Sequence, residues 1–337
     1  MVPRAASEET DLKEATQLEP RKYEIVYTNV IYFTYWHIAG LYGLYLCFTS
    51  AKWETIVFAW AWYVLGELGV IAGAHRLWAH RTYKAKMPLQ IILMLFNCIG
   101  FQNTATDWVR DHRVHHKHSD TDADPHNSQR GFFFSHVGWL LTRKHRLVKE
   151  KGEAVDMTDI YSNPVLRFQK KYSLPLIGTL CFALPTLLPA YCWGEAVGTA
   201  WNINLLRYCL NLNGTFLTNS AAHKFGSKPY DKTIPPTQNL LVSFMTLGEG
   251  FHNYHHVFSW DYRAAELGNT YLNMTTIFID FFALIGWAYD LKTVPEDVIK
   301  KRMARTGDGT NLWGWGDKDM TKEDVVDTEI RFHAKKE

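Results

Sequence analysis

The order of apolar and polar positions divides the chain into long hydrophobic stretches separated by polar segments. A bilayer core of ~30 Å needs about 20 helical residues at ~1.5 Å each. Residues 30–50 and 55–74 both reach that length, and the short linker 51–54 makes them a helical hairpin. Residues 173–193 form a third stretch, in which Pro175, Pro185 and Pro189 predict kinks that neighbouring helices can tolerate. A fourth, 197–222, carries Asn202, Asn204, Arg207, Asn211, Asn213 and Asn219, which must face a cavity or other helices. Residues 89–101 and 239–251 are too short to span, and 272–291, interrupted by Asp280, reads as an amphipathic helix in the interface. The expected fold is an all-α integral membrane protein. Four transmembrane helices carry a cytosolic helical cap (about 75–172 and 223–300) within one unit, 23–300, flanked by a polar cytosolic tail 1–22 and a soluble tail 301–337.

Nine of the 15 histidines fall in four clusters where apolar stretches end or beside polar ones. They are His75 and His80; His112, His115 and His116; His223; and His252, His255 and His256. Two clusters have the spacing H-x-x-H-H, which on a helix aims the rings to one side. Counting spans, no cluster is separated from the others by an odd number of crossings, so all four emerge on one face of the membrane. Lys84, Lys86, Arg143, Lys144, Arg146, Lys149, Lys151, Lys170 and Lys171 place that face, and both termini, in the cytosol.

Neutral imidazole suits iron, copper, nickel and zinc. Nine rings are too many for one ion and about right for two. Zinc has no redox chemistry and usually takes four ligands; two iron ions of higher coordination, activating O2 against an unactivated C–H bond, are the natural use. Asp107, Asp111, Asp120 and Glu249 are candidates to orient the rings. Asn219, one turn before His223, could hold a metal-bound water. His37, His118, His126, His136, His145 and His333 read as structural or exposed. Glu67, a carboxyl inside the second stretch, is either a hydrogen-bonded group within the bundle or part of a substrate cavity wall.

Composition excludes several classes. Net charge is +2, with no basic stripe, so nucleic acid is not a partner. The five cysteines lie in or beside apolar segments without a C-x-x-C pair, against disulfides and thiolate metal sites. No G-x-G-x-x-G fingerprint follows a strand and no Walker loop or H-P-G-G haem motif occurs, so electrons must come from a partner.

The motifs G-A-H-R-L-W-A-H-R-T-Y-K-A, D-H-R-V-H-H-K, D-A-D-P-H-N-S-Q-R-G-F-F-F-S-H-V-G-W-L-L, N-S-A-A-H-K-F-G and G-E-G-F-H-N-Y-H-H closely resemble the membrane acyl-CoA desaturases, the stearoyl-CoA desaturase family, and among them the insect enzymes. The resemblance covers roughly residues 23–300. It implies a di-iron centre on the nine histidines, with Asn219 holding a water. It implies a fatty acyl-CoA substrate, O2, and electrons from cytochrome b5 and its NADH-dependent reductase, in the endoplasmic reticulum membrane; the last residues, Ala334 to Glu337, only weakly resemble a lysine-based retrieval signal. Family contacts to the CoA head group fall on Asn29, Arg110, Asp111, Arg143 and Lys144, and those shaping the bend of the acyl tunnel on Gln102, Trp108 and Thr215. Asn103, Phe216, Tyr63 and Glu67 complete the substrate set. Two positions depart from the family: Phe216 stands where Trp is common, and Glu67 where a small residue is usual. Insertion of a cis double bond is implied, delta-9 by default and delta-11 as the alternative. A histidine-box hydroxylase and a membrane metal transporter are the rival classes.

Overall fold

Helices carry most of the described residues in the computed structural model, which describes residues 21–265 and 272–310 together with residue 326. Most of both tails, and His333 with them, lies outside the described residues. Helix α1 is Tyr27–Thr49. Helix α2 begins at Trp53 and runs unbroken to Ala79. Helices α3 (Met87–Gly100) and α4 (Ala105–His118) follow, then short α5 (Arg146–Glu153), α6 (Thr158–Ser162) and α7 (Pro164–Lys171). The long helices α8 (Ser173–Trp193) and α9 (Val197–Ser220) complete the bundle. The remainder is α10 (Leu240–Met245), α11 (His252–Val257), α12 (Met274–Leu284) and α13 (Glu296–Thr306). A two-residue antiparallel ladder joins β1 (Lys84–Ala85) to β2 (Ala288–Tyr289).

Among the described residues, two helices, Trp53–Ala79 and Ser173–Trp193, are long and apolar enough to cross a bilayer. Tyrosines dilute the hydropathy of α1, and asparagines with Arg207 that of α9. Even so, α1 turns Ile31, Ile38, Leu41 and Phe48 outward. Helix α2 also differs from its expected end at residue 74. It continues past His75 in a wider winding, so that His75 lies inside the helix.

Two glycines let the helices meet backbone to backbone. A Cβ on Gly43 would lie 2.2 Å from Asn202 O, and one on Gly69 would lie 2.1 Å from Asn97 N. The first contact joins α1 to α9, the second α2 to α3. Asn204, Arg207 and Asn211 of α9 turn inward, as so apolar a setting requires. Pro185 has no N–H to offer Cys181 O, which is four residues earlier. Arg207 Nη2 (2.8 Å) and Asn204 Nδ2 (2.9 Å) donate to that orphaned carbonyl instead. Arg207 Nη1 satisfies Ile99 O at the end of α3 (2.8 Å).

The cap is built on a core shared by α2, α3, α7 and α12, with Ala72, Leu89, Leu93, Leu166 and Ile279 fully buried. Thr104 caps α4, and Asn163 caps α7 by accepting from Val165 N and Leu166 N. Helix α12 buries Ile279 and Phe282 and exposes Ile277, Phe281 and Leu284, an amphipathic segment too short to span.

Candidate metal centre

His75 and His80 are five residues apart, a spacing that fails on an ordinary helix. At ~100° per residue the second ring would sit ~140° away from the first. The last turns of α2 are wound wider, His80 N–H donating to His75 O at 3.0 Å, which brings the fifth residue back over the first. The ring centroids are then 4.8 Å apart. Helix α4 presents His112, His115 and His116; the turn after α9 presents His223; α11 presents His252, His255 and His256.

The nine rings form two groups. His75, His80, His112, His116 and His255 make one, and His115, His223, His252 and His256 the other. Each H-x-x-H-H box is split between them. In both groups the Nε2 atoms converge. In the first, the nearest pairs are His80–His112 (2.8 Å), His75–His255 (3.0 Å) and His116–His255 (3.0 Å). In the second, His223–His252 is 3.0 Å and His252–His256 is 3.1 Å. His115 and His256 approach to 3.3 Å. With metal–nitrogen bonds of ~2.1 Å, ligands at right angles lie ~3.0 Å apart and tetrahedral ones ~3.4 Å. The short edges therefore suit ions of higher coordination. Burial lowers the pKa of His80, His112, His116, His252, His255 and His256 far below the ordinary value, and the neighbouring rings lower it further. This keeps those six imidazoles neutral, with a ring lone pair free to bind.

Carboxylates stand behind three rings. Asp124 Oδ2 is 2.9 Å from His115 Nδ1, Asp120 Oδ2 is 3.0 Å from His223 Nδ1, and Glu249 Oε2 is 3.0 Å from His75 Nδ1. Burial pushes the Glu249 carboxyl upward, but His75 and Arg76 outweigh it and bring it to about 2. Asp120 is likewise held low by His223 and Ser128 against its burial. Two expected carboxylates are not here. Asp107 is engaged by Lys170, and Asp111 by Lys144 and Arg110. Both carboxylates are taken up by these cations rather than by a ring Nδ1. Asp124 and fully buried Arg76 were missed, although D-A-D-P-H directly after the second box was a usable signal. His126 is buried, not exposed, 3.4 Å from Asp124 and packed on His115. His37 and His136 share Asn213 in a separate hydrogen-bonded set.

A cavity of about 40 Å³ touches both groups, lined by Ile71, His75, His112, His115, Thr215 and Asn219, among others. Trp108 stacks on His112 (4.7 Å) and lines the same cavity. Its Nε1 donates to Gln102 Oε1 (3.3 Å), and Gln102 Nε2 donates to Thr215 Oγ1 (2.7 Å). Phe216 is buried away from it, against Phe33 and His136. Arg110, Asp111 and Lys144 form one charged cluster at the outer end. Asn29 Nδ2 donates to Leu140 O, Arg143 pairs with Glu24, and Asn103 is exposed. Tyr63 donates to Met245 O, and Glu67 is fully buried.

The fatty acid desaturase family model matches residues 51–266. An acyl-CoA Delta(11) desaturase of Trichoplusia ni is 64% identical over 96% of this chain and 93% of its own length. An acyl-CoA Delta-9 desaturase of Acheta domesticus is 60% identical over 91% and 86%. A stearoyl-CoA desaturase of Sus scrofa is 53% identical over 85% and 80%.

Proposed function

This chain belongs to the fatty acid desaturase family and is an acyl-CoA desaturase, and from that premise we propose that its nine histidines hold two iron ions and that it places a cis double bond at the delta-11 position of a saturated fatty acyl-CoA. The observation that carries the iron centre is the convergence of nine imidazole Nε2 atoms, five and four, with nearest edges of 2.8–3.3 Å. Delta-11 takes precedence over the delta-9 default because relatives bearing that name, from Trichoplusia ni, Spodoptera littoralis and Choristoneura rosaceana, are 61–65% identical.

Iron held there would supply the activation of O2 that no side chain can perform. The chain's own residues do the rest. Asp120, Asp124 and Glu249 keep the Nδ1 side of His223, His115 and His75 fixed, which sets ring orientation. Asn219 offers its amide to a water beside the four-histidine group. Trp108, Gln102 and Thr215 close a hydrogen-bonded wall next to His112 that would bend the acyl chain and so select the C–C pair presented to the histidine groups. Arg110, Lys144 and Arg143 meet the phosphates of CoA, with Asn29, Asp111 and Asn103 beside them. Electrons come from cytochrome b5 and its NADH-dependent reductase, since no dinucleotide fingerprint is present.

Helices α1, α2, α8 and α9 cross the endoplasmic reticulum membrane, with cap and termini cytosolic; the outward apolar face of α1 supports its place among them. Expression in desaturase-deficient yeast, with double bonds located by mass spectrometry, tests the proposal. An alkene at delta-11 is expected, and His256→Ala should abolish it while the protein still inserts. An alcohol product would favour a hydroxylase. Metal uptake with no oxidation of acyl-CoA would favour a transporter.

A further inference from the structure

One cluster of ligand-type side chains extends beyond the two histidine groups. The loop after α4 alternates Asp120, Asp122 and Asp124, then turns through Pro125 into His126. Asp122 is taken up by Arg130, and Asp120 by His223 and Ser128. Asp124 is buried, and among the described residues its ion pairs are with two imidazoles, His115 and His126, not with a Lys or Arg. A buried carboxylate calls for a cation. Glu249, which stands behind the five-histidine group, already has one in Arg76.

The geometry around Asp124 suits a metal ion. One ligand atom from each of His115, Asp124 and His126 lies within 4.8 Å of the others. His126 is 7% exposed, and its Nδ1 makes no hydrogen bond. That atom stands 3.4 Å from Asp124 Oδ1, the edge expected of two ligands sharing a tetrahedral ion with bonds of ~2.1 Å. His115 Nδ1 lies 2.9 Å from the other carboxylate oxygen. The backbone fixes the carboxylate in place: Asp120 N–H donates to Oδ2 (2.8 Å) and His126 N–H to Oδ1 (3.1 Å). A buried ring nitrogen without a hydrogen bond is destabilising, and orienting His115 needs Asp124 alone. Carboxylate with imidazole is a mixed oxygen and nitrogen set that divalent first-row metals accept.

A single ring joins this cluster to the four-histidine group. His115 and His126 have centroids 4.4 Å apart, and His115 Nε2 lies 3.3 Å from His256 Nε2. His115 therefore faces the cluster with Nδ1 and the group with Nε2. We propose that Asp124 and His126 form an auxiliary divalent-metal site, sharing His115 with the four-histidine group, and that this group is loaded through it. A cation held there is one imidazole away from its final ligands, and on its transfer Asp124 resumes its bond to His115 Nδ1–H. The inference rests on the two-iron reading and adds a route by which one of the two groups fills.

The test titrates the purified, metal-free full chain with cobalt(II) alone, whose visible spectrum reports coordination. Three equivalents are expected, the third at higher free cobalt than the other two. His126→Gln keeps a neutral polar side chain and should bind two, each with an affinity within about threefold of the natural chain's. Filling of one of those two sites should slow about tenfold or more in stopped-flow mixing. Saturation of the natural chain at two equivalents, a third equivalent that persists in His126→Gln (an adventitious ion only), or unchanged filling kinetics would each overturn the proposal. So would weakened equilibrium binding in His126→Gln, since His126 would then merely support His115. Should that variant not accumulate, the count on the natural chain decides, three equivalents supporting the site and two overturning it. A chain that binds no cobalt at all would instead overturn the two-iron reading, and this proposal with it.

Discussion

Replacing Glu249 by glutamine keeps the side-chain shape and removes one buried negative charge. Oε1 accepts from Arg76 Nε (3.0 Å) and Nη2 (2.7 Å), while Oε2 lies 3.0 Å from His75 Nδ1. A carboxamide has one oxygen for these two neighbours, so its NH2 faces either the guanidinium or the ring. Whichever way it turns, a donor meets a donor. Breaking a buried ion pair on one side costs ~3–5 kcal/mol. Arg76 retains three neutral acceptors, Tyr262 O, Thr276 Oγ1 and Asn273 Oδ1, which places the loss near ~3 kcal/mol. Loosening the partner of a ligating ring weakens metal binding by ~10–100-fold, or ~1.4–2.7 kcal/mol. Glu249 touches only the five-histidine group. The assay is metal content of the purified variant against buffered free iron(II), with thermal unfolding recorded alongside. One of two binding steps should move to ~10–100-fold higher free metal while the other stays within about threefold. Superimposable binding curves together with an unchanged melting temperature would refute the argument.

Two further outcomes follow from packing and charge. Gly69→Ala must force α2 and α3 apart, because the new Cβ would meet backbone at 2.1 Å; a loss of ~1–3 kcal/mol or more is expected in thermal melts. Gly198→Ala meets nothing within 4 Å and should stay within about 0.5 kcal/mol, so equal effects would dismiss the contact. Burial pushes the Asp261 carboxyl upward, but Arg263, the Val294 N–H and Tyr254 outweigh it and lower its pKa. Its stabilisation is thus complete above the unfolded-state value of ~3.9 and is lost as pH falls through the lower folded value. The stability gap between the natural chain and Asp261→Asn should shrink as unfolding is measured from about pH 6 toward pH 3. A gap independent of pH would remove the charge from the explanation.

Apolar run length placed the long helices to within a few residues at 173–193 and 197–222, because desolvation cost acts on every residue of a span regardless of its neighbours. The histidine spacing placed the rings of each box on one side of a helix, since that follows from helical pitch alone. Pitch also implies what spacing could not assign. His115 and His116 diverge by ~100°, so each box had to serve two groups, but which ring joined which depended on where α11 docks against α4. The pairing of His75 with His80 needed the widened end of α2, held by packing that buries every residue from Gly69 to Ala79. The choice of Asp124 over Asp107 and Asp111, and the pairing of buried Glu67 with Asn211, were equally matters of assembly. Sequence alone determined the elements and the chemistry they carry. Only the tertiary structure decided the partners, because a side chain's contacts across the bundle depend on the relative phase and depth of helices far apart in the chain, and no local pattern encodes either.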